Sequence, residues 1–263
     1  MIQMRGRTKQ VMRRVRNNEY IKTIVTTLAI AICLFTAGCR DEEPADHAAQ
    51  GLAFANNREY DKAISEFTKA TEADSALEIV YSNRGLAYYH KGEYDRAISD
   101  YSKAIELNPR YAQACYNRGN AYAGKGEFDK AISDFGKALE INPSYADAYY
   151  NRGVTYEHKS QYDEAISDYT KAIEIDQTHA GAYCNRGVVY GRQGQYDQAL
   201  SDWNKAIEID PSVAEAYINR AVVRFGRAEY DKAWADVNKA RSLGGQLPAD
   251  FLRKLREVSG REG

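Results

Sequence analysis

Long apolar runs are almost missing from this chain. Of its 263 residues, only the stretch from Thr23 to Gly38 is uncharged and apolar enough to meet a bilayer, so a multi-span transporter is excluded. Histidine and cysteine are scarce, at four each, which leaves little material for a metal cluster or a nucleophile–base pair. No phosphate-cradling glycine loop stands at a strand-to-helix junction; the Gly-x-Gly at Gly124 and Gly126 falls in a helical turn. A charge excess is lacking too, since 36 Lys and Arg face 37 Asp and Glu for a net of -1. That balance averages two unlike parts. Residues 1–38 hold seven bases and one acid, a net of +6, which leaves 29 bases and 36 acids, a net of -7, for residues 39–263. So acidic a body argues against nucleic acid, whose phosphates need a basic face.

The basic front reads as an address, not as part of the fold. Arg5, Arg7, Lys9, Arg13, Arg14, Arg16 and Lys22 precede the apolar run, whose sixteen residues would make about 24 Å of helix against a hydrocarbon core of ~30 Å. A charged front, a short apolar middle and small residues at the end describe a secretory signal. Its last residues, Leu34-Phe35-Thr36-Ala37-Gly38-Cys39, resemble the lipobox of bacterial lipoproteins. That resemblance implies removal of residues 1–38, diacylation of the Cys39 thiol and a mature N-terminus at that cysteine. Thr36 departs from the family's usual Leu, and Arg40 stands where inner-membrane retention usually has Asp, which implies sorting to the outer membrane. An uncleaved signal anchor is the alternative, and Met12 is an alternative start to Met1. Cleaved or not, the segment puts everything beyond it on the periplasmic side of the cell envelope, by the positive-inside rule.

What the chain does have is a repeat. Asn-Arg-Gly stands at Asn83, Asn117, Asn151 and Asn185, each 34 residues after the last, and Asn219-Arg220-Ala221 is a degenerate further copy. The register defines six units, 44–77, 78–111, 112–145, 146–179, 180–213 and 214–247. Position 18 is always Asp (Asp61, Asp95, Asp129, Asp163, Asp197, Asp231), positions 20 and 27 always Ala, and position 26 always Lys. Asp at 18 is expected to cap the second helix of each unit. Ala at 20 and 27 and Gly at position 8 let helices approach closely, and Pro109, Pro143 and Pro211 are expected to end second helices. Aromatic residues recur at positions 4, 11 and 24. Cys115 and Cys184 lie two repeats apart, beyond the ~7 Å reach of a disulfide, and read as small packing residues.

Period, spacing and residue types together resemble the tetratricopeptide repeat, a helix–turn–helix unit. The resemblance implies an all-α chain: a right-handed solenoid of six units with a concave inner face, thirteen helices in all. The thirteenth caps the end, since residues 248–263 form a capping helix and tail whose Phe251, Leu252, Leu255 and Val258 make one apolar stripe. Residues 39–45 are left as a short tether of at most ~25 Å, reaching a first helix near Asp46. At position 7, where the family usually has Leu, Arg84, Arg118, Arg152, Arg186 and Arg220 recur; Asp100, Asp134, Asp168, Asp202 and Asp236 recur at position 23. They are expected to pair across each hairpin, with Gln50 and Glu66 as the counterpart in the first unit.

In this family the first helix of each unit lines the groove through positions 2, 5, 6, 9, 12 and 13. Asn83, Asn117, Asn151, Asn185 and Asn219 would form a ladder there, similar to the asparagine ladder of O-linked N-acetylglucosamine transferase, able to bond an extended peptide backbone. Tyr89, Tyr116, Asn120 and Tyr150 lie beside it, with Leu86, Val154, Val188, Ile218, Val222 and Phe225. Its charged positions are Asp147, Glu157, Arg192 and Glu215. The lysines of a carboxylate clamp are absent from positions 2 and 5. The implied function is a membrane-anchored adaptor or scaffold, attached through lipid on Cys39, that binds a protein or peptide partner. A self-associating structural subunit is the rival, and an envelope enzyme or small-molecule binder the third reading. No catalytic residue, metal, cofactor, nucleic acid or small-molecule substrate is expected.

Overall fold

Each 34-residue unit carries two apolar stripes at helical spacing, and each stripe becomes a helix that buries it against the other. The computed structural model describes residues 43–260; Cys39 and the lipobox-like segment lie outside them. Among the described residues there are thirteen helices and no strand. They divide into two compact units, with the division of the chain between Pro109 and Arg110. The first contains α1 (Glu43–Asn56), α2 (Tyr60–Ala73), α3 (Glu78–His90) and α4 (Tyr94–Leu107). The second contains α5 (Ala112–Gly124), α6 (Phe128–Ile141), α7 (Ala146–His158), α8 (Tyr162–Ile175), α9 (Ala180–Arg192) and α10 (Tyr196–Ile209). It ends with α11 (Ala214–Gly226), α12 (Tyr230–Ser242) and α13 (Ala249–Ser259). Within each unit odd and even helices pair as hairpins, and hairpins stack through the even helix of one and the odd helix of the next. The odd helices also touch one another, so they form a layer of their own. None of the described helices is long and apolar enough to cross a membrane.

Close approach within a hairpin depends on position 8. A Cβ on Gly119 would come within 2.8 Å of the Phe135 ring, and one on Gly153 within 2.9 Å of the Tyr169 ring. Where the facing residue is the smaller Val237, the chain carries Ala221 instead, and both are fully buried in one cluster. Ala at positions 20 and 27 is fully buried in every unit for the same reason.

All five Arg–Asp pairs form, and all are bidentate. Nε and Nη2 of Arg84, Arg118, Arg152, Arg186 and Arg220 donate to the two oxygens of Asp100, Asp134, Asp168, Asp202 and Asp236 at 2.6–3.0 Å. The carboxylates are 2–6% exposed, so each needs its partner to remain charged. Bonding to the carboxylate raises the guanidinium pKa of Arg84, Arg118, Arg152 and Arg186 above its ordinary value. In three of the pairs the third nitrogen reaches the preceding hairpin: Arg84 Nη1 donates to Thr68 and Thr71, Arg186 Nη1 to Thr170 and Arg220 Nη1 to Asn204. Tyr81, Tyr149, Tyr183 and Tyr217 place their rings 5.3–5.6 Å from the guanidinium of their own helix. In the last hairpin Arg224 replaces a tyrosine and donates to Asp236 as well.

Four expectations give way here. Asp at position 18 sits in the first turn, not at the cap; the caps are Glu59, Glu93, Glu127, Gln161, Gln195 and Glu229, and none caps the helix backbone through its side chain. The aspartate instead accepts from position 14 of the next hairpin: Asp61 from Lys91 (2.6 Å), Asp129 from Lys159, Asp163 from Gln193 (3.0 Å) and Asp197 from Arg227 (2.6 Å). Helices α2, α4, α6, α8 and α10 end at an Asx residue, with or without a following proline, whereas α12 ends at Leu243. Asp74, Asn142, Asp176 and Asp210 are extended, and each side chain accepts the backbone N–H two residues on. In the first hairpin it is His47, not Gln50, that meets Glu66, at 2.6 Å. Val258 is exposed; Leu255 alone of the stripe is fully buried, with Phe251 and Leu252 packed beside it. Ser259, four residues beyond Leu255, takes the inward place instead of Val258 and accepts from Trp234 Nε1 at 2.8 Å.

Helix α1 begins at Glu43, inside the segment expected to be a tether. Pro44 falls in its first turn, where a missing N–H costs nothing. The turns between paired helices need a left-handed residue; Gly92, Gly126 and Gly194 supply it in three, while Arg58, Ser160 and Ala228 hold φ of 58–60° without being glycine.

The buried pairs yield a stability prediction. Asp134→Ala leaves Arg118 inside without its carboxylate and should cost about 3–5 kcal/mol by urea denaturation. Asp129→Ala removes only an exposed partner of Lys159 and should leave the melting temperature nearly unchanged. Equal melting of both variants and the parent would contradict this account.

Candidate interaction face of the odd helices

With their position-7 arginines turned toward the even helices, the odd helices of the second unit present a different set of residues on the side away from them. Side chains there bond from one odd helix to the next. Asn151 Nδ2 on α7 donates to both Tyr116 Oη and Asn120 Oδ1 on α5, each at 2.9 Å. Asn185 Nδ2 on α9 donates to Tyr150 Oη on α7 at 3.1 Å. Asn117 accepts from Gln113 on its own helix at 2.9 Å, and Tyr145 in turn donates to Gln113 Oε1 at 2.7 Å. Arg192 on α9 pairs with Glu157 on α7 at 3.2 Å, and Glu157 accepts from the buried Tyr169 hydroxyl at 3.0 Å.

These bonds follow from what the preceding helix offers at positions 5 and 9. Asn151 looks back on Tyr116 and Asn120 and makes two bonds; Asn185 looks back on Tyr150 and Val154 and makes one. Asn219 looks back on Cys184 and Val188, and among the described residues it makes none. The structure thus brings Tyr116, Asn120 and Asn151 together, and Tyr150 with Asn185, all half-buried. Asn83 and Tyr89 lie on α3 in the first unit, where the Tyr89 ring packs against Tyr94 and His90. Asn151 spends both amide N–H groups on α5, and Asn185 spends one on α7. Inter-helix bonding by these amides is structural as much as it is available for recognition.

Sequence reasoning did not single out His179. It caps α9 by accepting the Ala182 N–H at Nδ1 (3.1 Å), its ring packs 4.6 Å from that of Tyr150, and its Nε2 lies 4.0 Å from Asp147. Its place immediately before a first helix, where Asn, Ser or Asp usually cap, was the available signal. His90 stacks on Tyr60 and His158 on Phe128, so the histidines stay apart.

Burial dominates the titration of this face. It raises the Tyr150 hydroxyl above the ordinary tyrosine value and Tyr169 further still, with Glu157 adding to the latter. The Cys184 thiol is pushed up to about 12, first by burial and then by the negative charges of Glu215 and Glu157. Cys115 is likewise buried and raised. Both thiols are buried packing groups, held mainly in the thiol form.

A family model described as TPR repeat matches residues 85–126 and 119–160, and one described as tetratricopeptide repeat matches 146–179 and 180–213. No curated protein matches the chain at a significant level. Among solved structures, MamA is 30% identical with a TM-score of 0.58, over 63% of this chain and 96% of MamA. YrrB, described as a TPR protein with an unusual peptide-binding site, is 30% identical with a TM-score of 0.56, over 67% of this chain and 91% of YrrB. A tetratricopeptide repeat protein from Parabacteroides merdae ATCC 43184 aligns over 83% of this chain and 88% of its own, with a TM-score of 0.67; at 22% identity that likeness concerns the fold alone.

The raised thiol predicts slow chemistry. At pH 8 a pKa near 12 leaves a thiolate fraction of about 10⁻⁴, so iodoacetamide should label Cys184 at least a thousandfold more slowly in the native protein than after denaturation. Peptide-level mass spectrometry would measure it. Native labelling at the denatured rate would show the site to be open.

Proposed function

Since this chain belongs to the tetratricopeptide repeat family, whose repeats build protein-interaction scaffolds, we propose that it is a lipid-anchored adaptor of the bacterial cell envelope. It holds a partner peptide on the exposed face of its odd helices. The observation that carries the binding half is the face itself: half-exposed amides and tyrosine rings from successive helices, joined into one polar surface. Amide oxygens accept backbone N–H groups whatever the partner's side chains, while aromatic rings add contact area at low entropic cost. Nothing on this face pairs a nucleophile with a base, and among the described residues no three His, Cys, Asp or Glu side chains are grouped to hold a metal ion.

The anchoring half rests on sequence. Leu34–Cys39 resembles a lipobox, and α1 starts four positions after Cys39. Four residues span at most about 14 Å, which would hold the first hairpin against the membrane surface. An adaptor needs no catalysis to work from there. It raises the local concentration of its partner at the membrane.

Each half has its own test. Cells fed a clickable palmitate analogue should label the protein, and Cys39→Ser should abolish the label; unlabelled parent protein in the soluble fraction would refute anchoring. Photocrosslinking from Tyr150 should capture a partner, and an Asn117→Ala/Asn151→Ala variant with unchanged circular dichroism should lose most of that capture. Undiminished capture by the folded variant would remove the amides from the binding surface.

A further inference from the structure

The charges of the second unit's odd-helix face say what kind of segment it would take. Helices α5, α7, α9 and α11 contain no lysine and six arginines. Five of these, Arg118, Arg152, Arg186, Arg220 and Arg224, point toward the even helices and are held by Asp134, Asp168, Asp202 and Asp236. The sixth, Arg192, lies on the open side and is already joined to Glu157. The carboxylates on that side are more numerous. Asp147 has a side chain 57% exposed and meets only the edge of His179, whose Nδ1 accepts the Ala182 N–H. Glu215 is exposed and makes no ion pair among the described residues. Three carboxylates against one guanidinium leave this face with two uncompensated negative charges, and the Cys184 thiol feels both Glu215 and Glu157.

The remaining groups suit the same ligand. Tyr116 and Tyr150 are half-buried, each packed against two other rings, and an ammonium or guanidinium group placed against a tyrosine ring is attracted by its quadrupole. The amide oxygens of Asn151 and Asn185 accept N–H donors. A helix has already used its backbone N–H groups internally, so only an extended segment has them to give.

On the reading that this face receives a peptide, we propose that its occupant is an extended, lysine- or arginine-bearing segment of a partner protein. Asp147 and Glu215 set the preference for positive charge, and the tyrosine rings and amide oxygens hold the chain. An acidic segment would meet two unpaired carboxylates and no free cation to offset them.

A library of random twelve-residue peptides displayed on phage, selected on the mature protein, tests this. Selected peptides should be enriched in Lys and Arg over Asp and Glu by about tenfold. A selected peptide should bind about tenfold more weakly to an Asp147→Asn/Glu215→Gln variant, and weaken as salt rises. Both substitutions are on exposed side chains, and unchanged circular dichroism would verify the fold. Peptides with no basic bias that still lose binding to the Asn117→Ala/Asn151→Ala variant would overturn the charge preference while leaving the face as the binding surface. Peptides indifferent to both variants, or a library without a binder, would overturn both.

Discussion

A buried carboxylate at position 23 of each hairpin decides where the arginines of the odd helices point. A charge taken out of water must be matched by an opposite charge in good geometry, or it costs several kcal/mol. The planar guanidinium one helix away matches it with two parallel bonds and keeps a third nitrogen for the neighbouring hairpin. One residue therefore closes its own hairpin and fixes the register of the preceding one. Tyrosines at positions 4 and 11 pack over the guanidinium and keep water from it. The consequence for function is indirect. Because positive charge is drawn to the even helices, the opposite side of the odd-helix layer is left with amides, tyrosines and a surplus of acid.

A second set of polar contacts runs along each stack. Position 18 of one hairpin pairs with position 14 of the next, and position 6 bonds back to positions 5 and 9 of the preceding odd helix where a tyrosine or asparagine is present. Nearest-neighbour coupling of this kind is what a quasi-one-dimensional repeat needs, since each hairpin meets only those beside it. The exposed carboxylate pairs contribute little individually; their geometry specifies register more than stability. The half-buried Asn–Tyr bonds shape the face directly, because they fix how each amide is turned.

The hairpin pattern was legible because its causes are local and recur. Gly at position 8 and a large ring at position 24 are complementary in size, and the exchange to Ala221 and Val237 shows the same constraint answered with different residues. The Arg–Asp pairing could be read from two columns that keep step with each other. Asp at position 18 misled for an instructive reason. A single unit offers it only the start of its own helix, whereas its partner at position 14 belongs to the next hairpin and changes among Lys, Gln and Arg. Likewise Gln50 stood in the arginine column, but His47 reaches Glu66 at 2.6 Å.

The amino-acid sequence by itself determined the helical hairpins, their length and the residues that face inward, since 3.6-residue periodicity, small-residue columns and turn chemistry act over a few residues. Only the tertiary structure decided which side of each amide is offered to a partner and which charges remain unmatched on the open face. Those outcomes depend on side chains about 30 residues apart, brought within 3 Å by the stacking of one hairpin on another.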